Sequence, residues 1–422
     1  MIQKVIADNK HLRLFIFQTT VYGRVFKNPK QDISLSLARM LVTQPDATTS
    51  CRQETISFER TIRYVYNPAM FLITIWPFLI SLLISVVSIP VIIRVADAKH
   101  LMDEPDSDRK LHLKKTPTLG GIAIFAGTVF SFSFFSDYLA MSNEIRFMTS
   151  ALVLLFFAGI KDDILLLAPL KKLLVQIACA LLITLMGKLY LTNLWGMLGI
   201  TEIPPYLGII LTVIAILALI NAYNLIDGVN GLAGGLGLIT SLFFGFWFYL
   251  TNSTALCILS FSLAGSLLGF LFFNFHNAKI FMGDTGSMLL GFIISILAIK
   301  FIETNRTSGI EISPYYIKAA PGVAIAATII PLIDLIRVFF QRLAIKRHPF
   351  SADRRHIHHI LEDCGMTHTQ ISVTLYLVAI MLIGLSLALR NYRSMDVIII
   401  LSGVCAPLLV ASIFYRRIKK NR

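Results

Sequence analysis

Charge is scarce in this sequence. Asp, Glu, Lys and Arg together make 15% of its 422 residues, against about a quarter in soluble globular domains, so an ordinary solvated surface is excluded. Cysteine is scarce too and badly spaced for chemistry. Cys51, Cys179, Cys257, Cys364 and Cys405 form no CxxC pair or other ligand spacing, which argues against a disulfide frame and a structural zinc site. Three of them fall in apolar stretches and read as core residues. No period of about 20 to 50 residues recurs, which sets aside solenoids and propellers. Paired interrupted helices, the mark of inverted-repeat transporters, are missing as well. No cleavable signal is expected at the start, because LFIF is too short for the apolar region of one and no small-residue cleavage site follows it.

What the sequence has is apolar length. It is 56% hydrophobic, with a mean hydropathy of +0.73, and a bilayer core needs about 20 apolar residues per helix. The expectation is an all-α, polytopic membrane bundle of about eleven helices, near 70–93, 119–137, 147–160, 173–190, 206–222, 232–250, 255–274, 286–302, 318–336, 371–389 and 397–414. Lys and Arg concentrate in the segments 94–118, 161–172, 274–286, 337–370 and 415–422. Basic residues near span ends are retained inside, so these segments are expected in the cytoplasm, with the C-terminus there too and the protein in the inner (plasma) membrane. The net charge of +14 then reads as topology bias plus attraction for anionic lipid and phosphate, with no nucleic acid partner. Residues 1–69 are themselves basic and run against this orientation. They are expected to be an extension, disordered or outside the working chain, with Met70 as the working start and 70–422 as the membrane domain.

Polar residues collect in a few clusters, all on segments expected inside. RKLHLKKTPTLGG (109–121) brings Lys115 and Thr116 to a Gly-Gly helix entry, where backbone and cations suit a phosphate. GIKDDILLLAPLKK (159–172) sets Asp162 beside Asp163 at a span end. Adjacent carboxylates repel, and a cation keeps both ionised. Carboxylates with water and substrate phosphates are the usual set for Mg²⁺. NAYNLIDGVNGLAGG (221–235) ends an apolar run with Asn221, Asn224, Asp227 and Asn230, one polar group every third residue. FHNAKIFMGDTGSMLLGF (275–292) offers Lys279 and Asp284 at a helix start. ADRRHIHHILEDCG (352–365) carries Arg354, Arg355, His356, His358 and His359, donors fitted to an anionic substrate. Each cluster alone has a plainer reading: a positive-inside loop, a solvated helix cap, an N-cap or a seam between membrane helices.

Together, TPTLGG, DD followed by Lys, NAYNLIDGVNGLAGG, FMGDTGS and HIHH occur in an order that resembles the polyprenyl-phosphate N-acetylhexosamine-1-phosphate transferases, from about Met70 to the C-terminus. That family includes the MurNAc-pentapeptide phosphotransferase of peptidoglycan synthesis and the dolichol-dependent GlcNAc-1-phosphate transferase. The resemblance implies a bundle of ten or eleven spans, a UDP-N-acetylhexosamine donor, a polyprenyl phosphate acceptor and a divalent metal, Mg²⁺ with Mn²⁺ as the alternative. Asp162, Asp163, Asp227 and Asp284 are then the catalytic candidates, with Asp163 and Asp284 at the metal. HIHH is similar to the GlcNAc-1-phosphate enzymes, whereas the peptidoglycan enzyme has three consecutive histidines; that enzyme stays the alternative. The commoner family form reads DGxDG, and Asn230 stands here where it has a second Asp. The rival of another class is a transporter of an anionic solute, disfavoured because its charges would lie at mid-membrane.

Overall fold

A computed structural model describes residues 68–101, 116–136, 142–307, 315–344 and 356–406. The expectations for Lys115, Arg354, Arg355 and residues 1–67 lie outside the described residues.

The described residues are helical almost throughout. In chain order the helices are α1 (Pro68–Ala98), α2 (Gly120–Phe135), α3 (Asn143–Leu165), α4 (Pro169–Leu181), α5 (Pro205–Ile226), α6 (Leu232–Leu250), α7 (Thr254–Asn274), α8 (Gly283–Thr307), α9 (Ala320–Ala344), α10 (Ile357–Asp363), α11 (His368–Ala388) and α12 (Ser394–Ala406). Proline marks the starts of α4 and α5, where its missing N–H costs nothing and its fixed φ suits the first turn.

The expected spans fall on helices as far as they are described, the last of them only to Ala406 because 407–414 lies outside the described residues, and among the described residues eight helices are long and apolar enough to cross a membrane. The chain is a multi-pass membrane protein. The shortest expected span, 147–160, lies on α3, whose ends carry Glu144, Arg146, Lys161, Asp162 and Asp163 and so leave only a short apolar middle. Helix α2 and the described part of α12 are shorter apolar helices.

Helix α8 is the centre of the bundle: 89% of its most apolar stretch is buried, and it packs on α2, α3, α5, α6 and α9. Two of these crossings depend on glycine. A Cβ at Gly121 would stand 2.2 Å from the Gly286 nitrogen, and one at Gly159 would stand 2.4 Å from Thr285 Cα. Both obstacles are backbone and cannot turn aside. The small residues therefore let α2 and α3 press directly on the first turn of α8, the turn that carries Asp284. The starts of α2, α4, α6, α8 and α11 and the ends of α3, α5 and α7 thereby gather at one end of the bundle, and every described polar cluster lies on one of these termini or on the adjoining α10.

Candidate active site

The α2 entry and the loop before α8 are pinned by backbone hydrogen bonds. Phe281 N–H donates to Pro117 O at 2.8 Å, Gly120 N–H to Phe281 O at 2.9 Å and Gly121 N–H to Met282 O at 2.8 Å. TPTLGG and FMGD thus form one structural unit, which the sequence presents as two motifs. Thr116 is buried beside it.

Asp163 closes the start of α8. Its Oδ1 accepts the Asp284 N–H at 2.6 Å, and its Oδ2 accepts the Thr285 N–H at 3.1 Å and the Thr285 hydroxyl at 2.5 Å. These are N–H groups that an α-helix leaves unpaired at its start. Burial pushes the Asp163 carboxyl up to about 6, against the hydrogen bonds from Thr285 and Asp284. Expected at the metal, Asp163 has both oxygens engaged by this turn.

Asp284 is the point on which side chains converge. Lys172 of α4 and Asn224 of α5 both donate to its Oδ1, and Asn224 also donates to Ser287 Oγ at 2.9 Å. Lys172 is shared with the buried Asp162, 3.1 Å from its Oδ2, while Asp162 Oδ1 accepts the Leu167 N–H at 2.7 Å and braces the α3–α4 turn. Asp227 ends α5. It accepts no hydrogen bond among the described residues, and burial, followed by the charges of Asp284 and Asp163, raises its carboxyl well above the usual range.

The remaining asparagines divide. Asn221 donates to Gln176 Oε1 at 2.9 Å and to Leu217 O at 2.8 Å, so its amide is used in the α4–α5 seam and not brought to the carboxylates. Asn230 is buried, its N–H directed at His368 Nδ1 at 3.4 Å and its carbonyl accepting Ser372 Oγ at 2.8 Å. Lys279 is exposed on the loop before α8.

The histidines are held from α9. Buried Asp334 accepts His356 Nδ1 at 2.7 Å, the Ile357 N–H at 2.8 Å and Arg337 at 3.0 Å. His358 is 2% exposed, and its Nε2 faces Gly228, next to Asp227, so closely that a Cβ there would stand 2.7 Å away. Burial, aided by His359, pushes its imidazole down to about 3. His359 Nδ1 lies 3.1 Å from Glu362. Lys172, Asp334, Glu362 and His368 are the residues missing from the sequence-based set. Asp334 was the most visible of them, since an acid inside an apolar span is functional by default.

Among the described residues no three His, Cys, Asp or Glu side chains converge as a complete metal cage. The set still suits a hard, oxygen-seeking cation: Asp227 and Asp284 are near enough for their charges to repel, and among the described residues no group donates a hydrogen bond to Asp227. Mg²⁺ is usually held by one or two carboxylates, with water and substrate phosphates supplying the rest.

Residues 121–302 match the model of Glycosyl transferase family 4. The chain is 33% identical over 296 residues to undecaprenyl-phosphate alpha-N-acetylglucosaminyl 1-phosphate transferase of Escherichia coli K12, an alignment covering 68% of this chain and 76% of that one. It is 33% identical over 303 residues, 71% of this chain and 80% of the relative, to the probable undecaprenyl-phosphate N-acetylglucosaminyl 1-phosphate transferase of Bacillus subtilis. The Yersinia pestis alpha-N-acetylglucosaminyl 1-phosphate transferase is 30% identical over 314 residues, 73% of this chain and 81% of its own. With identity at this level over two thirds of the chain, and with the family model covering α2 through α8, the chain belongs to Glycosyl transferase family 4, the polyprenyl-phosphate N-acetylhexosamine-1-phosphate transferases, and is a membrane-bound phosphotransferase.

Proposed function

We propose that the chain transfers N-acetylglucosamine 1-phosphate from UDP-GlcNAc to undecaprenyl phosphate on the cytoplasmic side of the inner membrane, releasing UMP and starting a lipid-linked envelope glycan. The observation that carries this reading is the convergence of Lys172 and Asn224 on Asp284, near the Asp227 carboxyl that accepts no hydrogen bond among the described residues, at the end of the bundle where a soluble donor would meet a bilayer acceptor. An acceptor phosphate oxygen attacks the sugar-linked phosphorus, a P–O bond forms there, and the bond to the uridine-linked phosphate breaks to free UMP. Several anionic oxygens must be held together for this, and fixed cations such as Lys172 offset their repulsion.

Asp227 and Asp284 would hold Mg²⁺ or Mn²⁺. That ion would supply positive charge to the phosphate oxygens. Asp163 fixes the turn on which Asp284 stands, and Asp162 orients Lys172. Asn224 holds the Asp284 carboxylate from the other side. Exposed apolar residues of α4 (Leu170, Leu174), α5 (Ile210, Ile214) and α9 (Ile336, Phe340) lie on helices that flank the site, with α4 and α9 both packed on α5. This gives a prenyl chain an apolar approach from the bilayer. The GlcNAc choice is supported by the names of the E. coli and B. subtilis relatives and by HIHH. The cytoplasmic placement of this end is supported by the Lys and Arg distribution.

Purified protein incubated with Mg²⁺, undecaprenyl phosphate and UDP-GlcNAc should release UMP, and with UDP-MurNAc-pentapeptide it should not. Release only with the pentapeptide donor would move the enzyme to peptidoglycan synthesis. Release with neither would end this reading.

A further inference from the structure

The histidine helix α10 and the turn after α5 lie far apart in sequence, yet a single carboxylate joins them. Glu362 Oε2 lies 3.1 Å from His359 Nδ1, and its Oε1 lies 3.0 Å from His368 Nε2. His368 in turn receives the Asn230 N–H at Nδ1, 3.4 Å away. With Nδ1 accepting, the ring proton sits on Nε2 and is donated to Glu362. Two further side chains of α11 hold the same turn: Ser372 donates to Asn230 O at 2.8 Å, and Tyr376 donates to Gly231 O. Both backbone polar groups of Asn230 therefore end on α11, and α11 is tied to α10 through Glu362.

The chemistry requires a carboxylate at the middle of this chain. Burial alone would raise the Glu362 carboxyl, but the hydrogen bonds from His359 and His368 outweigh it and keep it well below the usual range. An ionised carboxylate is acceptor-only and can take both imidazole N–H groups at once. Glutamine cannot, because its NH₂ would meet one of the two ring N–H groups.

We propose that Glu362 is a positioning residue that clasps His359 to His368, fixes α10 against the Asp227–Gly231 turn, and thereby shapes the surface that recognises the soluble nucleotide-sugar donor. The proposal rests on the transferase reading above. The donor is favoured over the lipid because the exposed residues around the clasp are Cys364, Gly365, Thr367 and Gln370, a water-facing and uncharged set. The exposed apolar side chains of α11, Val373, Leu377, Ile380 and Met381, begin beyond them, farther along the helix.

Steady-state UMP release by the full-length protein tests it. Glu362→Gln should raise the KM for UDP-GlcNAc about tenfold and leave the KM for undecaprenyl phosphate within about twofold. His368→Ala should do the same, and the double variant should be no worse than either single one, because both break one clasp. Glu362→Asp, with two oxygens on a shorter stem, should recover part of the donor affinity and stands in if the Gln variant does not fold. An equal rise in both KM values, a fall in kcat alone, additive effects or unchanged kinetics would each overturn the clasp. If the unmodified protein releases no UMP with these substrates, the reaction reading has failed instead.

Discussion

Asp163 fixes Asp284 through the Asp284 backbone, not its side chain: the Asp284 N–H is donated to Asp163 Oδ1 at 2.6 Å, while Thr285 occupies Oδ2. One carboxylate therefore builds the turn that presents the other. From sequence the two look equivalent, as acids at helix ends. Truncating them should separate their roles. Asp163→Ala removes a helix cap, costing about 0.5–2 kcal/mol, and also loosens the Asp284 turn, so both melting temperature and rate should fall. Asp284→Ala should abolish turnover with little change in melting, since its carboxylate is partly exposed and supports no turn. Paired thermal melts and UMP-release assays decide it; an Asp163→Ala protein that melts normally and keeps its rate would remove the positioning role.

The raised carboxyl of Asp227 has a direct consequence for metal dependence. Its folded-state value lies above the usual one because of burial and the charges of Asp284 and Asp163. By linkage this group favours the folded state at low pH, and that contribution is lost as pH rises through its raised value. Metal binding runs the other way, since the cation must displace the proton. The Mg²⁺ concentration for half-maximal activity should therefore fall as pH rises, by up to about tenfold per unit until Asp227 is ionised. EDTA should abolish UMP release and added Mg²⁺ should restore it. A Mg²⁺ requirement unchanged across pH would show that Asp227 carries no proton to displace.

Gly228 is the point where the histidine helix meets the end of α5. An added methyl group would stand 2.7 Å from His358 Nε2, and His358 is buried with its Nδ1 lacking a hydrogen-bond partner among the described residues. Gly228→Ala should therefore push α10 away from Asp227, costing about 1–3 kcal/mol as overpacking and lowering the rate. If the clash is the cause, adding Gly228→Ala to a His358→Ala protein should cost nothing more. Additive losses would place the defect in the turn itself.

The spans and the gathering of the polar motifs at helix termini were legible because apolar length and motif order are local properties of the chain. The roles within the site were not, because they depend on which backbone group or side chain a polar atom reaches. Asn221 and Asn224 stand one turn apart on α5, yet Asn221 bonds Gln176 across a helix seam and Asn224 bonds Asp284. Helical spacing alone could not separate them. Lys171 and Lys172 are likewise equivalent as sequence, but only Lys172 bridges Asp162 and Asp284. Glu362 and His368 lie outside the HIHH motif and carry no signal at all until α10 and α11 are folded against each other.

The polar series that closes α5 gives a last comparison. Asp227 accepts no hydrogen bond among the described residues, so its oxygens remain available to a metal that displaces its proton, and an amide there would remove the anionic form altogether. Asn230 contributes its backbone to the structure, through the N–H to His368 and the carbonyl from Ser372, and a change of amide to carboxylate leaves both bonds in place. Asp227→Asn should therefore lower UMP release by at least about 10²-fold, whereas Asn230→Asp, which restores the commoner DGxDG pattern, should stay within about threefold of the starting rate. Rates for the two variants measured side by side at saturating Mg²⁺ test this. An active Asp227→Asn enzyme would mean that the carboxylate ends the helix and does no more, and a dead Asn230→Asp enzyme would mean that this site has been rebuilt around a neutral side chain at that position.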